Sequence, residues 1–485
     1  MSEVSRRYTF QPLERRGLLL GLQAGQIGTL IGGVAGALVA GHVVAAPVGP
    51  GVAVLVLVAA AVGALWPHEG RPLTGWIPVV ARWAGRRSRG PVVGTEPLAG
   101  WRGRGLPIRV GATSPGPDRG RTGPAPAGID LVEVPGLPGQ DALGVVRDRR
   151  SASWAAVVPV QGRSFVLLDV DEQLRRLESW RAVLGTLARP STPLRRIQWV
   201  HRSAPVCGGG VVALPPGDAS TEAARDSYRQ LVAGSGAVTQ SHQAWMVLAV
   251  GGSHRPGGQE DRVLDGLRRE VRLLDGHLRN SDLRAGAPLG LEAMRGLLGS
   301  AQRPDLVDVA GDAPRAHPWP MATDEAWSAL RADGTWHATY WISEWPRVEV
   351  SPDFMTPLLL CDGRRTVSVV MAPVPADRAA REVRAARAAD VADEELRSRA
   401  GFLPSARRRR EADGVVRREA ELADGHAEFR FSGYVTVTAP DRAALETACV
   451  ETEQAAQTAH LELRRLYGRQ AEAYTWTLPL ARGLA

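Results

Sequence analysis

From Gly17 to His68 the chain runs for 52 residues without a single Asp, Glu, Lys or Arg, in a sequence of which 23% is charged. Only lipid or a large protein core covers such a window. Residues Ile27 to Ala46 carry no charge; the turn-prone Pro47-Val48-Gly49-Pro50-Gly51 follows, then an apolar run from Val52 to Trp66. A helix needs roughly twenty apolar residues to cross the hydrocarbon layer, which the second run approaches only by starting near Val48. The pattern predicts a transmembrane hairpin, with spans from Ile27 to Ala46 and from Val48 to Trp66.

Arginine placement sets the expected orientation. Arg6, Arg7, Arg15 and Arg16 precede the first span, Arg71, Arg82, Arg86, Arg87 and Arg89 follow the second, and the turn between has none. Cationic flanks stay on the cytoplasmic side, so a two-span cell-membrane protein with both termini cytoplasmic is expected, its five downstream arginines contacting anionic lipid. Trp66, Trp76, Trp83 and Trp101 suit interfacial anchoring and ordinary packing equally. Arg15-Arg16 before an apolar stretch, with Val44-Ala45-Ala46 beyond, also suits a secretory or twin-arginine signal. Cleavage there would leave Pro47 first, and a second apolar run follows at once, so an uncleaved anchor fits better. His42, alone within the first span near its far end, has no charged partner in the hairpin and reads as an imidazole reaching interfacial water.

All 59 basic residues are arginine and none is lysine. Schiff-base chemistry, an amine general base and a phosphate-loop lysine are therefore excluded. With one Asn (Asn280) and abundant Ala and Gly, this looks like GC-rich codon bias, so the net charge of +8 says little as a global number. Cys207, Cys361 and Cys449 make no metal or redox spacing and read as small core residues in a reducing compartment.

A Gly/Pro-rich stretch, 102–139, separates the hairpin from the rest. The expected organisation is an N-terminal cytoplasmic segment (1–26), the hairpin (27–66), a basic juxtamembrane segment with linker (67–128), and two cytoplasmic α+β domains (129–312 and 313–485). Strands are predicted at 129–134, 155–160, 165–168, 195–200 and 244–250, and helices from near Asp171 and over 221–232. Leu264, Leu267, Val271, Leu274 and Leu278 repeat at spacings of three and four, a seam for core packing or for dimerisation. In the second half, strands are expected at 336–345, 358–361, 367–372 and 434–439. Both Val367–Ala372 and Tyr434–Ala439 run into helices that carry Pro and Asp near their starts. With a closing strand at 473–478, this predicts ferredoxin-like, split βαβ units. The charged helical stretch 378–418 includes Arg407-Arg408-Arg409-Arg410, a solvated connection whose other reading is a contact for nucleic acid or acidic lipid.

Chemistry is sparse. No phosphate loop, dinucleotide glycine motif, His-Glu-x-x-His, paired cysteines or serine elbow occurs, so no cofactor or metal is expected. Asp169, Asp171 and Glu172 form the one tight acidic cluster; a helix start explains it, a cation site being the alternative.

Three segments carry a resemblance. Residues Arg6 to Gly17, with Tyr8-Thr9-Phe10 and Pro12-Leu13-Glu14-Arg15-Arg16-Gly17, together with the hairpin resemble the small PrgI-like inner-membrane subunit of type IV secretion machines. Phe165-Val166-Leu167-Leu168 through Glu172-Gln173, Trp180 and Ile197-Gln198-Trp199-Val200 resemble the amino-terminal domain of the secretion ATPase. So do Leu461-Glu462-Leu463-Arg464-Arg465-Leu466-Tyr467-Gly468, Trp476 and Leu478-Pro479-Leu480-Ala481-Arg482-Gly483-Leu484. Most of the chain thus looks like an actinobacterial integral membrane protein of conjugation-type loci. The sequence stops at Ala485, where that family's ATPase motor would begin. The resemblance implies a non-catalytic adaptor whose partners are a separate secretion-type ATPase, other channel subunits, the bilayer and further copies of itself. The alternative is a membrane-tethered nucleic-acid-binding component of a DNA transfer complex.

Overall fold

The computed structural model describes residues 24–43, 48–68, 71–87, 92–93, 109–110, 125–136, 141–162, 165–205, 240–252, 259–279, 281–302, 317–399 and 406–484. The predicted helix at 221–232, the boundary at 312/313 and residues Ala46, Arg89, Trp101 and Cys207 lie outside them.

Two uncharged helices open the described chain, α1 (Ala24–Val43) and α2 (Val48–Leu65). A two-residue ladder of β1 (Pro67–His68) on β2 (Arg71–Pro72) and a 3-10 turn, Leu73–Trp76, lead into α3 (Ile77–Arg87). Two short strands follow, β3 (Val92–Val93) and β4 (Arg109–Val110). The next stretch comprises β5 (Ile129–Val134), β6 (Leu143–Asp148), β7 (Ser153–Gly162), α4 (Val170–Leu187), β8 (Leu194–Pro205), β9 (Gln240–Gly251), α5 (Gln259–Arg279), β10 (Leu283–Ala285) and α6 (Leu291–Gln302). After it come β11 (Ala322–Glu325), β12 (Leu330–Ala332), β13 (Thr335–Glu344), α7 (Thr356–Leu360), β14 (Arg364–Val374), α8 (Ala376–Arg399) and α9 (Ala406–Ala423). The chain finishes with β15 (Glu428–Ala439), α10 (Arg442–Thr458), β16 (Glu462–Arg465) and α11 (Gln470–Thr477).

Among the described residues, strands β3 to β16 form one 14-stranded antiparallel sheet. Its pairing order occurs twice. In one half β10 pairs β7, β7 pairs β9 and β9 pairs β8; in the other β16 pairs β13, β13 pairs β15 and β15 pairs β14. Each set is preceded by a two-strand meander, β5–β6 or β11–β12, and followed by a helix, α6 or α11. The halves meet where β8 pairs β14, with His201 opposite Val367 and Gln198 opposite Val370. The second repeat of strand and helix that the sequence suggests, Val367–Ala372 and Tyr434–Ala439, is the adjacent pair β14–β15 inside one half.

Side-chain alternation across the sheet produces a layer of core on each face. On β7 and β9, Ala156, Val158, Met246, Leu248 and Val250 face α4 and α5, while Ala155, Val157, Trp245, Val247 and Ala249 face α6 and the chain's last residues. The leucine seam of α5 lies wholly within the first layer, with Leu267, Leu274 and Leu278 fully buried. It is a packing seam. The acidic cluster is likewise a helix start: Asp169 Oδ1 accepts the Glu172 amide at 2.8 Å, and Glu172 pairs with Arg175 and Arg176.

Three predicted strands take other forms. Residues 473–477 fall in α11 and Leu478 ends it, because Gln470, Ala473, Tyr474 and Thr477 are buried at spacings of three and four, a helical face that the alternating Tyr-Thr-Trp-Thr composition disguised. Residues 358–360 belong to α7, which Pro357 initiates at its first turn, and Cys361 is the extended residue that ends it. Residues 165–168 form a turn: the Leu168 amide bonds Phe165 O, Leu167 is exposed, and Gln173 Nε2 donates to both the Phe165 and Leu168 carbonyls.

The end of the chain is tied across the seam between the halves. Gln198, fully buried on β8, donates to Ser368 Oγ at 2.8 Å, to Trp476 O and to Leu478 O, and accepts the Ala481 amide at 2.7 Å. Arg196 donates to Ala481 O and Leu484 O, the Tyr434 hydroxyl to Gly483 O, and Arg482 forms a two-pronged pair with Asp148.

Candidate functional site

The feature that sets this chain apart is its hairpin and the way that hairpin joins the sheet. Both α1 and α2 are long and apolar enough to cross a membrane. Their apolar side chains point away from the protein: Ile31, Leu38, Val39, Val54, Leu55, Val58 and Val62 are all exposed. The two helices approach closely through small residues. A Cβ at Gly33 would overlap the Ala60 methyl, and one at Gly36 would lie 3.4 Å from Val56. Gln26, at the start of α1, donates from Nε2 to Ala64 O at 2.8 Å, so its amide is satisfied inside the hairpin. His42 is exposed near the end of α1.

Close packing of helices through glycine is the main source of association where lipid offers no hydrophobic drive. Gly33→Leu is therefore expected to weaken the α1–α2 pair by about 1–3 kcal/mol. Gly32→Leu, where an added Cβ meets nothing within 4 Å, should leave it intact. Unfolding of the purified protein by titration with dodecyl sulfate checks the contrast.

The predicted span Ile27 to Ala46 lies largely in α1, which begins three residues earlier; the span Val48 to Trp66 is α2 plus one residue. Trp66 is 63% exposed at the end of α2. Of the arginines expected at lipid, Arg82 is exposed on α3, while only the backbones of Arg71 and Arg87 are described. Arg86 departs from the expectation. Its Nε donates to Glu325 Oε2 on β11 at 2.9 Å and a terminal nitrogen donates to Gly468 O, so it holds α3 to the sheet.

Trp76 and Trp83 do the same. Trp76 lies 5.9 Å from Trp327 and 6.3 Å from Tyr467 between ring centroids, and Trp83 meets Trp327 edge-on at 5.2 Å. Both are packing residues. Gly468 makes the approach feasible: its φ of +66° is in the left-handed region, and a Cβ there would lie 2.7 Å from the Trp327 ring and 3.0 Å from Val79. Beyond α3 the chain continues as β3, which pairs with β11 as an edge strand. The sequence carries no signal for Trp327, Glu325 or Tyr467 as partners of α3, since they lie hundreds of positions away and contacts of that separation leave no local pattern.

Among the described residues, no group of three or more His, Cys, Asp or Glu side chains is placed to hold a metal ion. Burial raises the thiol pKa of both Cys361 and Cys449, which are free. In the four-arginine run, Arg409 is exposed, and the side chains of Arg407, Arg408 and Arg410 lie outside the described set. Glu419 and Glu428, further along the same region, pair with Arg387 and Arg418. No family model matches this chain, and no curated protein matches it.

Proposed function

We propose that this protein is a non-catalytic inner-membrane adaptor of a type IV-like secretion or conjugative transfer machine, docking a separate ATPase at the membrane. The observation that carries the reading is the direct coupling of the hairpin to the sheet through Trp76, Trp83, Arg86 and β3. A tether meant only to retain a protein at the membrane needs no such joint; a platform that must present a surface at fixed height and tilt does. The resemblance of the hairpin and of the Leu461 to Leu484 segment to secretion subunits supports the same assignment. In this reading each half of the sheet is a ferredoxin-like unit, supported by the order fourth-first-third-second in β10–β7–β9–β8 and again in β16–β13–β15–β14.

Both termini face the cytoplasm in this scheme, because arginines flank both spans and are missing from the turn. Nucleotide hydrolysis belongs to the partner: a chain without lysine has no phosphate-loop lysine to offer. The test is affinity capture of the full-length protein from membranes in mild detergent. Recovery of an ATPase with a lysine-containing phosphate loop is expected; its repeated absence would overturn the adaptor assignment.

A further inference from the structure

We propose that α3 is a two-faced interfacial helix, one side seated on the sheet and the other inserted into the lipid boundary beside the end of α2. The inference rests on the hairpin being embedded in a bilayer. Along α3 and the residue before it, Trp76, Val79, Trp83 and Arg86 recur at spacings of three and four and face the sheet; Val79 is buried against Gly468. Ile77, Val80, Ala81 and Ala84 recur at the same spacing on another side, and all four are exposed. Ile77 is 65% exposed and Val80 45%. Among the described residues, none covers this strip.

Its occupant follows from continuity. The turn Leu73–Trp76 touches α2 at Gly63, where the Thr74 methyl lies 3.3 Å from the Cβ position, so α3 starts against the last turn of α2. That turn presents exposed Val62, Leu65 and Trp66, and the 3-10 turn presents exposed Leu73. The apolar surface that lipid covers on α2 thus runs on through Leu73 to Ile77 and Val80. An amphipathic helix placed at this depth lies in the plane of the interface with its apolar side among the upper acyl segments. Arg82, exposed on the same helix, supplies a cation for anionic headgroups. With its other side bound to β11 through Arg86 and Glu325, α3 fixes that edge of the sheet at the membrane surface.

The experiment uses full-length protein in vesicles of phosphatidylcholine and phosphatidylglycerol, with native cysteines replaced and one environment-sensitive fluorophore attached at Ile77→Cys, Val80→Cys, Arg82→Cys or Val58→Cys. These positions are exposed, so labelling leaves the core untouched. Lipid carrying a nitroxide just below the headgroup should quench the labels at 77 and 80 at least about twofold more than the label at 82. Labels at 77 and 80 as unquenched as that at 82, with the label at 58 still reached by deep nitroxide lipid, would overturn the inference alone. Loss of quenching at 58 as well would overturn the membrane hairpin on which it rests.

Discussion

Replacing Asp148 by alanine should lower the stability of the folded protein by about 3 kcal/mol, because it leaves the Arg482 guanidinium, its side chain only 12% exposed, without its counterion and with Ala127 O as a remaining partner. Asp148 is 4% exposed, and both of its oxygens accept from Arg482 at 2.9 Å. Burial on its own would raise the carboxyl pKa, but the hydrogen bond from Arg482, the Arg150 amide and the charge of Arg482 more than offset it and hold the group below its ordinary value. The carboxylate is thus better stabilised in the folded state than in the unfolded one. Its contribution is present above the unfolded pKa and is lost as pH falls through the folded one. A second variant separates the pair from the packing: with Asp148→Ala and Arg482→Leu together, part of the loss should be recovered, since the guanidinium left without its counterion is gone, while Arg196 remains as the neighbouring cation. Denaturation of the full-length protein in detergent measures both. The pair joins β6 to the last residues of the chain, so the single variant should also release the segment after α11, seen as faster amide exchange at residues 478–484.

Acid should destabilise the protein well before Asp148 titrates, through His337. This imidazole is fully buried on β13, with Nδ1 3.0 Å from Thr438 Oγ1 and its ring 4.6 Å from the Tyr474 ring. Burial pushes its pKa from 6.5 down to about 3. The unfolded chain therefore binds a proton below pH 6.5 that the folded chain refuses until pH 3. Stability is fully present above pH 6.5 and falls as pH drops toward 3, by about 3 kcal/mol between pH 7 and pH 4. His337→Gln should flatten that slope while keeping a partner for Thr438. A smaller slope will remain from His201, which burial and the neighbouring His242 hold at about 4.

What could be read from the sequence is what depends on local pattern. The silent window from Gly17 to His68 marks the hairpin, the Asp169 and Asp441 positions mark helix starts, and the spacing of Leu264 to Leu278 marks a buried helix face. Residues 473–478 defeated the same approach because Tyr, Trp and Thr favour strands by propensity, whereas burial of Gln470, Ala473, Tyr474 and Thr477 against β13, β14 and β15 requires a helix. Gln470 itself, bonded to the Thr339 amide and carbonyl, anchors that helix on a polar strip no propensity scale weighs. The β8–β14 seam, the doubled pairing order and the seating of α3 on Trp327 and Tyr467 are products of register between distant strands. Trp76 and Trp83 show the limit plainly: beside basic residues after an apolar span they suit anchoring and packing equally, and only their distant aromatic partners decide for packing.

Whether the protein brings an ATPase to the membrane is decided by vesicle flotation. Purified full-length protein is reconstituted into vesicles, mixed with the ATPase recovered with it by affinity capture from membranes, and centrifuged through a density gradient. If the protein is an adaptor, the ATPase floats with vesicles containing the protein and stays at the bottom with protein-free vesicles of the same lipid. An ATPase that remains at the bottom in both would contradict that role.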